Sequence, residues 1–418
     1  MTMKPVYLGY AVRTATGEVG KKGALINIPA VDLYAAVIRE VVWRSGLPGE
    51  AIDKVFMGQM YQAGCGTYPH RQAVLKAGLP ISLAAESNRK ECGSSMAALV
   101  NACHAIESER SGKEIIIAGG TENMAQIPWA VRPRNVQKGF SPHSMVASKA
   151  DITDDAELLN LLSFDGLCDG TYTTIQCADM CAQKFGFTRE QLDDYAVRSY
   201  TRAIEATKRG YFRNEILPVQ GTDFETGEPM VVFEDEALVK FNEAKLRSLK
   251  PIYEKNGGVT TAGNSSRLSV GASALLVFSE EGIEKARREY GVDLIPMANI
   301  KFIDDLYHEP EWFTTIPLKL MKKSRLVFKG LRDDYLIEDN EAFTSVMLTS
   351  LKDKELNLNP NLFNVSGGAI ALGHAVGSSG TRIVTTLLHG MQRLNKHFGY
   401  AVICIGGGGG IAITLERV

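Results

Sequence analysis

A chain of 418 residues that is 45% hydrophobic and 22% charged can bury more than one core, and its length favours two or three domains. A net charge of −2 supplies no basic field for DNA, RNA or an acidic membrane, and no apolar run approaches the roughly 20 residues that cross a bilayer. The odd set Cys65, Cys92, Cys103, Cys168, Cys177, Cys181 and Cys404 lacks the spacing of a small disulfide scaffold, so a reduced, cytoplasmic compartment is expected.

In chain order, "VYLGYAV" is strand-like, without the charged and apolar sections of a signal peptide before it. "AVDLYAAVIREVVWRSG" has helical periodicity and a glycine stop at Gly46, and "KVFMGQMYQ" reads as a strand. "KECGSSMAALVNACHAIESERSGKEIIIAGG" then gives a polar turn, an amphipathic helix and a buried strand closing on Gly-Gly. From about 121 to 250 the pattern loosens. "WAVRPRNVQKGFSPHSMVASKADITDD" is too long and polar for an ordinary connection and reads as a functional cover. In "CADMC", Cys177 and Cys181 share one helical face, but no second Cys or His pair completes a zinc set, so packing is expected and no metal. "TREQLDDYAVRSYTRAIEATKRG" is a helix opened by Thr188 and closed by Gly210.

The C-terminal third repeats the earlier grammar, with "SGGAIALGHAVGSSGTRIVTTLLHGMQRLNKHFGYAVICIGG" again giving a Ser-Ser turn, a helix and a strand ending in glycines. The run Gly406 to Gly410 is followed by "IAITLERV", a strand and not a helix, so it bends the chain between two strands and does not cradle a phosphate. The expected fold class is α/β, built from two duplicated halves with mixed sheets and layered helices, plus an inserted loop domain. The expected domains are 1–120, completed by about 251–280, a loop domain at 121–250, and a second half at 281–418.

Two positions carry chemistry. Cys92 stands where a polar turn meets a helix, a place where free backbone N–H groups and the helix dipole favour a thiolate. The alternative is a small residue packed beside a tight turn. His374 occupies the equivalent junction of the second unit, with a structural imidazole as its alternative.

These segments resemble the thiolase family, the coenzyme-A-dependent acyltransferases that cleave or form 3-oxoacyl thioesters. "CGSSMAAL" with "AGGTENM", then "TAGNSS", then "NEAF" with "NVSGGAIALGH", and finally "CIGGG" match in order. The resemblance implies that Cys92 takes the acyl group, that His374 removes its proton and that Cys404 protonates the departing enolate or abstracts an α-proton. It implies an oxyanion hole from the N–H groups of Cys92 and Gly406, a second oxyanion site involving Asn340 and His374, and a pantetheine wall at Ser266. Coenzyme A is then a co-substrate with no tightly bound cofactor, and a homodimer or homotetramer is implied, with an accessory subunit open.

The chain departs from the family pattern at several points. Ser95 and Ala375 replace a usual glycine and proline. A family cation that meets the coenzyme A phosphates aligns with Val239, leaving Lys240 or Arg267 to replace it. Thr173 and Thr174 fall where many short-chain relatives carry a His-Met pair over the acyl group. With Met145 from the preceding segment they are expected to line a wider pocket, suited to a medium, branched or aromatic acyl group. An acetoacetyl-CoA thiolase, another condensing enzyme of the fold, such as a ketoacyl synthase, and a non-catalytic acyl-CoA-binding subunit are the alternatives.

Overall fold

The computed structural model describes residues 4–20, 23–108, 110–133, 156–160, 172–254, 257–324 and 334–418, with the backbone alone at 129–133 and 156–160. Its centre is one mixed sheet. From one edge the strands run Tyr335–Asp339, Phe398–Ile405, Gly409–Arg417, Ala298–Tyr307, Tyr7–Thr14, Ser269–Phe278, Ile115–Asn123, Lys54–Gly58 and Ala84–Asn88. Each half combines parallel and antiparallel pairs in the same sense, and the halves join where Tyr7 meets Asn299 and Leu8 meets Ala298. Strand Ser269–Phe278 lies inside the N-terminal half, antiparallel to both Tyr7–Thr14 and Ile115–Asn123.

The two inner strands "IIIAGGTEN" and "SVGASALLVF" are buried at every residue, because helices cover both faces of the sheet there. Between the halves lie the helices Ser94–Glu107 and Ser379–Arg393, packed on one another. Their approach depends on Gly380: a Cβ at that position would sit 2.4 Å from the Met96 backbone nitrogen. Ser95, which departs from the family glycine, has its own use here. Its hydroxyl accepts a 3.0 Å hydrogen bond from the Thr381 N–H and ties the start of one helix to the other.

The glycine run makes the hairpin between Phe398–Ile405 and Gly409–Arg417, with Cys404 paired to Gly410. Gly408 has φ 87° and its α-carbon faces the His308 carbonyl so closely that a Cβ would lie 2.1 Å from the oxygen. Only glycine meets both demands.

Helix Ala30–Ser45 ends at a left-handed Gly46, and helix Arg189–Lys208 begins with a reciprocal Thr188–Gln191 capping box. Helix Thr174–Phe185 carries Cys177 and Cys181 on its buried side. Among the described residues no group of metal-binding side chains assembles around them, and no helix is long and apolar enough to cross a membrane.

The segment 211–240 is fastened to the first strand by charge. Arg13 is fully buried, with Nε 2.7 Å from Glu215 Oε1 and its two terminal nitrogens 2.7 and 2.9 Å from the Asp235 carboxylate. Removing the guanidinium leaves two buried carboxylates without their cation, a defect worth about 3–5 kcal/mol. Arg13→Met is therefore expected to lose stability of that order in denaturant unfolding. A loss below about 1 kcal/mol would show that the pair is not what fastens this segment.

Candidate active site

Cys92 lies just before the helix that opens at Ser94, with Gly93 as its N-cap, and the preceding Glu91 is held at φ 45°. Such strain at a non-glycine residue persists only where surrounding structure enforces it. Here the Lys90 N–H donates to the Ser94 hydroxyl at 2.9 Å, which in turn donates to the Glu91 carbonyl at 2.6 Å, so the turn is locked. His374 sits between the short helix Ala369–Leu372 and the helix that starts at Ser379, not at the helix start itself. Its backbone N–H donates to the Arg267 carbonyl at 2.9 Å.

The two side chains meet: His374 Nε2 is 3.1 Å from Cys92 Sγ. On the other side of the ring, Nδ1 is 2.6 Å from Ser379 Oγ, and Ser379 Oγ donates to the Ala375 carbonyl at 3.0 Å. The Ser379 hydrogen is thereby committed to the carbonyl, so its oxygen accepts from Nδ1–H. That fixes the tautomer with a free lone pair on Nε2, facing the thiol. Ser379 is a positioning residue that sequence reasoning passed over, since a serine in a Ser-Ser turn carries no distinguishing mark.

Burial sets the charge state. It pushes the His374 imidazole down to about 3, assisted by the nearby Arg382 guanidinium. It pushes the Cys92 thiol up to about 12, with Glu91 adding to the effect and the Gly406 N–H opposing it. The thiolate expected from the helix-start position is therefore not the resting state: desolvation outweighs the dipole, and the pair rests as thiol and neutral imidazole. The Gly406 N–H faces the sulfur, as does the N–H of Cys92 itself, so two backbone donors converge beside the thiol.

Asn340 is fully buried, with Nδ2 3.5 Å from His374 Nε2 and Oδ1 3.4 Å from an Arg382 nitrogen. The next residue, Glu341, has φ 60° and is tied down by Ser199, Tyr195 and Asn364 at 2.6, 2.9 and 2.8 Å. Cys404 is buried on its strand, and its thiol is raised well above the usual range by burial and then by Cys92, which places both sulfurs in one electrostatic environment. Glu122, also unmarked in the sequence reading, accepts from the backbone N–H groups of Met60, Tyr61 and Gly377 at 2.9, 3.3 and 3.1 Å. It bolts the two halves together beside the site, and burial lifts its carboxyl to about 7 against those three donors.

The "TAGNSS" loop runs between the catalytic loops: Ser266 N–H donates to Ala342 at 3.0 Å, and Leu268 bridges to His374. Lys240 and Arg267 both hold Glu18, at 2.8 and 2.7 Å, while Val239 is exposed. Thr173 caps helix Thr174–Phe185 in a capping box with Gln176, and its hydroxyl is 3.2 Å from the Tyr253 hydroxyl. Both Thr173 and Thr174 are exposed, and no hydrogen bond joins either to Cys92, His374 or Asn340. Met145 lies outside the described residues.

A thiol held on an imidazole, with converging N–H donors and a second thiol, defines an enzyme that can carry an acyl group on sulfur. Residues 6–281 match the thiolase N-terminal domain and 294–417 the thiolase C-terminal domain. The chain is 37% identical to Acetyl-CoA acetyltransferase 2 of Arabidopsis thaliana, over 97% of this chain and 95% of that protein. It superposes on a thiolase from Ascaris suum in complex with coenzyme A with TM-score 0.83 and 33% identity, covering 99% of this chain and 100% of that one. For human mitochondrial 3-ketoacyl-CoA thiolase the TM-score is 0.85 and the identity 30%, over 99% of each chain. The chain belongs to the thiolase family and is an acyltransferase.

Because the resting pair is uncharged, the rate of Cys92 alkylation by iodoacetamide is expected to rise about tenfold per pH unit from pH 6 to 9 without a plateau. Peptide mapping at each pH identifies the labelled cysteine. A plateau below pH 8 would mean a thiolate–imidazolium pair and contradict the desolvation reading.

Proposed function

We propose that this thiolase cleaves a 3-oxoacyl-CoA with coenzyme A, reversibly, through an acyl group on Cys92. The observation that carries the reading is the 3.1 Å contact between Cys92 Sγ and His374 Nε2, with the lone pair turned toward the thiol. His374 removes the Cys92 proton as sulfur attacks the 3-oxo carbonyl, and the N–H groups of Cys92 and Gly406 receive the oxyanion. The carbon–carbon bond breaks. The enolate oxygen is held by His374 and Asn340 while Cys404 supplies the proton to carbon. Coenzyme A then gives its thiol proton to the Cys404 thiolate and attacks the acyl-enzyme, and His374 returns the proton to Cys92. Each residue ends as it began.

Coenzyme A is the co-substrate in this reading, supported by the complex of the Ascaris suum thiolase with that molecule. Ser266 borders the pantetheine arm. Lys240 and Arg267 would meet the nucleotide phosphates only by exchanging Glu18 for them, which asks the largely buried Glu18 carboxylate to give up both cations. The cytoplasmic compartment rests on the cysteine pattern, and a homodimer or homotetramer on the family resemblance.

For the acyl group, a medium, branched or aromatic chain rests on the family alignment, which sets small Thr173 and Thr174 where short-chain relatives carry a His-Met pair; both are exposed, and Thr173 also caps its helix. The second reading is acetoacetyl-CoA, favoured by relatives named acetyl-CoA acetyltransferase. Each methylene buried in a widened pocket contributes about 0.8 kcal/mol. The larger substrate is therefore expected to lead acetoacetyl-CoA by about tenfold or more in kcat/KM. Steady-state kinetics across a panel of 3-oxoacyl thioesters decides it, and a clear preference for acetoacetyl-CoA would select the second reading.

The two thiols separate by half-reaction. Cys404→Ala is expected to accept an acetyl group from acetyl-CoA on Cys92 while losing carbon–carbon cleavage and α-proton exchange. Equal loss of both, or full retention of cleavage, would remove Cys404 from the mechanism. Cys92→Ser is expected to abolish acyl-enzyme formation, since the alcohol is a far weaker nucleophile.

A further inference from the structure

One buried carboxyl beside the site has no place in that mechanism. Asp339 ends the strand Tyr335–Asp339 with no exposed surface, and neither of its side-chain oxygens has a well-formed hydrogen bond among the described residues, the N–H groups of Asn340 and Glu341 being the nearest donors. Partners are the rule for buried polar groups, so an orphaned carboxyl in the core calls for an explanation.

The sheet register shows where it faces. The strand runs parallel to Phe398–Ile405, with Asp339 paired to Val402. Paired residues project to the same face and alternate residues share it, so Asp339, Tyr400, Val402 and Cys404 lie on one side of the sheet. The neighbouring Glu338, paired with Ala401, projects to the opposite face, where Arg382 acts on it. Asp339 and Cys404 are thus diagonal neighbours on the face turned away from the two central helices. The carboxyl also acts electrostatically on the Cys404 thiol. The buried hydroxyls of Thr314 and Ser345 lie against Cys181, which also acts on Cys404.

Burial first, and then Glu341, holds the Asp339 carboxyl well above the usual range, while the backbone N–H groups of Asn340 and Glu341 oppose the shift. Such surroundings favour the protonated form, in which the carboxyl is a hydrogen-bond donor.

The geometry points to Asp339 as a positioning residue for Cys404, its O–H donating to the Cys404 sulfur, directly or through one water, when that sulfur has given up its proton. No proton leaves Asp339. The Cys404 S–H bond breaks, the new C–H bond forms at the enolate carbon, and the resulting thiolate gains a side-chain donor beside its own backbone N–H. The step reverses in condensation, when the thiolate takes an α-proton from acetyl-CoA. This role rests on the proposed acid/base function of Cys404.

The test measures two half-reactions on Asp339→Leu, Asp339→Ala and Asp339→Asn, with Cys404→Ala beside them. One is exchange of the acetyl-CoA methyl protons with deuterated water, followed by mass spectrometry. The other is acetylation of Cys92 by acetyl-CoA. Asp339→Leu or, if that chain does not fold, Asp339→Ala is expected to slow proton exchange by about 10- to 100-fold, the worth of a hydrogen bond to a charged group. Acetylation is expected to change less than about threefold. Asp339→Asn keeps an N–H donor and is expected to restore most of the exchange. Wild-type exchange in the apolar variant, equal loss of both half-reactions, or no rescue by asparagine would each overturn the role of Asp339. Wild-type exchange in Cys404→Ala would instead overturn the reading of Cys404 on which it stands.

Discussion

The crossing of two helices at Gly380 is the constraint on which the site depends. Helix Ser94–Glu107 carries the Cys92 turn at its start, and helix Ser379–Arg393 is preceded by the His374 turn. With only hydrogen at Gly380, the backbone of Met96 approaches to a distance that no side chain permits. Ser95 then bonds to Thr381 across the junction, and Glu122 gathers N–H groups from the loop after Lys54–Gly58 and from Gly377. The 3.1 Å thiol–imidazole contact follows from this packing between halves and not from any sequence neighbourhood.

Desolvation is the second organising effect. Around the site, burial is the leading cause of the shifts at Cys92, His374, Cys404 and Glu122, and in each case it favours the uncharged form. A neutral site takes an uncharged carbonyl without first giving up hydration of a resting thiolate, and charge develops only where N–H donors already wait. The same logic explains why Arg13 must be matched by two carboxylates where it crosses under the inserted segment.

Elements with strong local signals were legible in the sequence. Gly46 stops its helix in the left-handed conformation, Thr188 caps helix Arg189–Lys208, and the terminal glycines turn between two strands as their β-branched flanks require. Cys92, His374, Asn340 and Cys404 were legible through motifs, and the fold brings Cys92, His374 and Asn340 into contact, with Cys404 near enough for Cys92 to disfavour its ionisation. Less legible was whatever depends on surroundings. A helix-start cysteine looks like a thiolate until its burial is known, the ion pairs of Lys240 and Arg267 with Glu18 join segments far apart in sequence, and the cap that Thr173 makes is visible only once its helix is placed. Ser379 and Glu122 could not be singled out, because their roles come from chain segments distant in sequence or from a hydroxyl orientation.

Close packing of the two halves at Gly380 makes the Cys92–His374 pair. Gly380→Ala tests it most directly, since the added methyl meets backbone and cannot be relieved by turning a side chain. The measurement is the single-turnover rate of Cys92 acetylation by acetyl-CoA in the folded variant. Displacement of the imidazole by about 1 Å is expected to slow it by about 100-fold. Acetylation at the wild-type rate would show that the thiol–imidazole pair does not depend on this crossing.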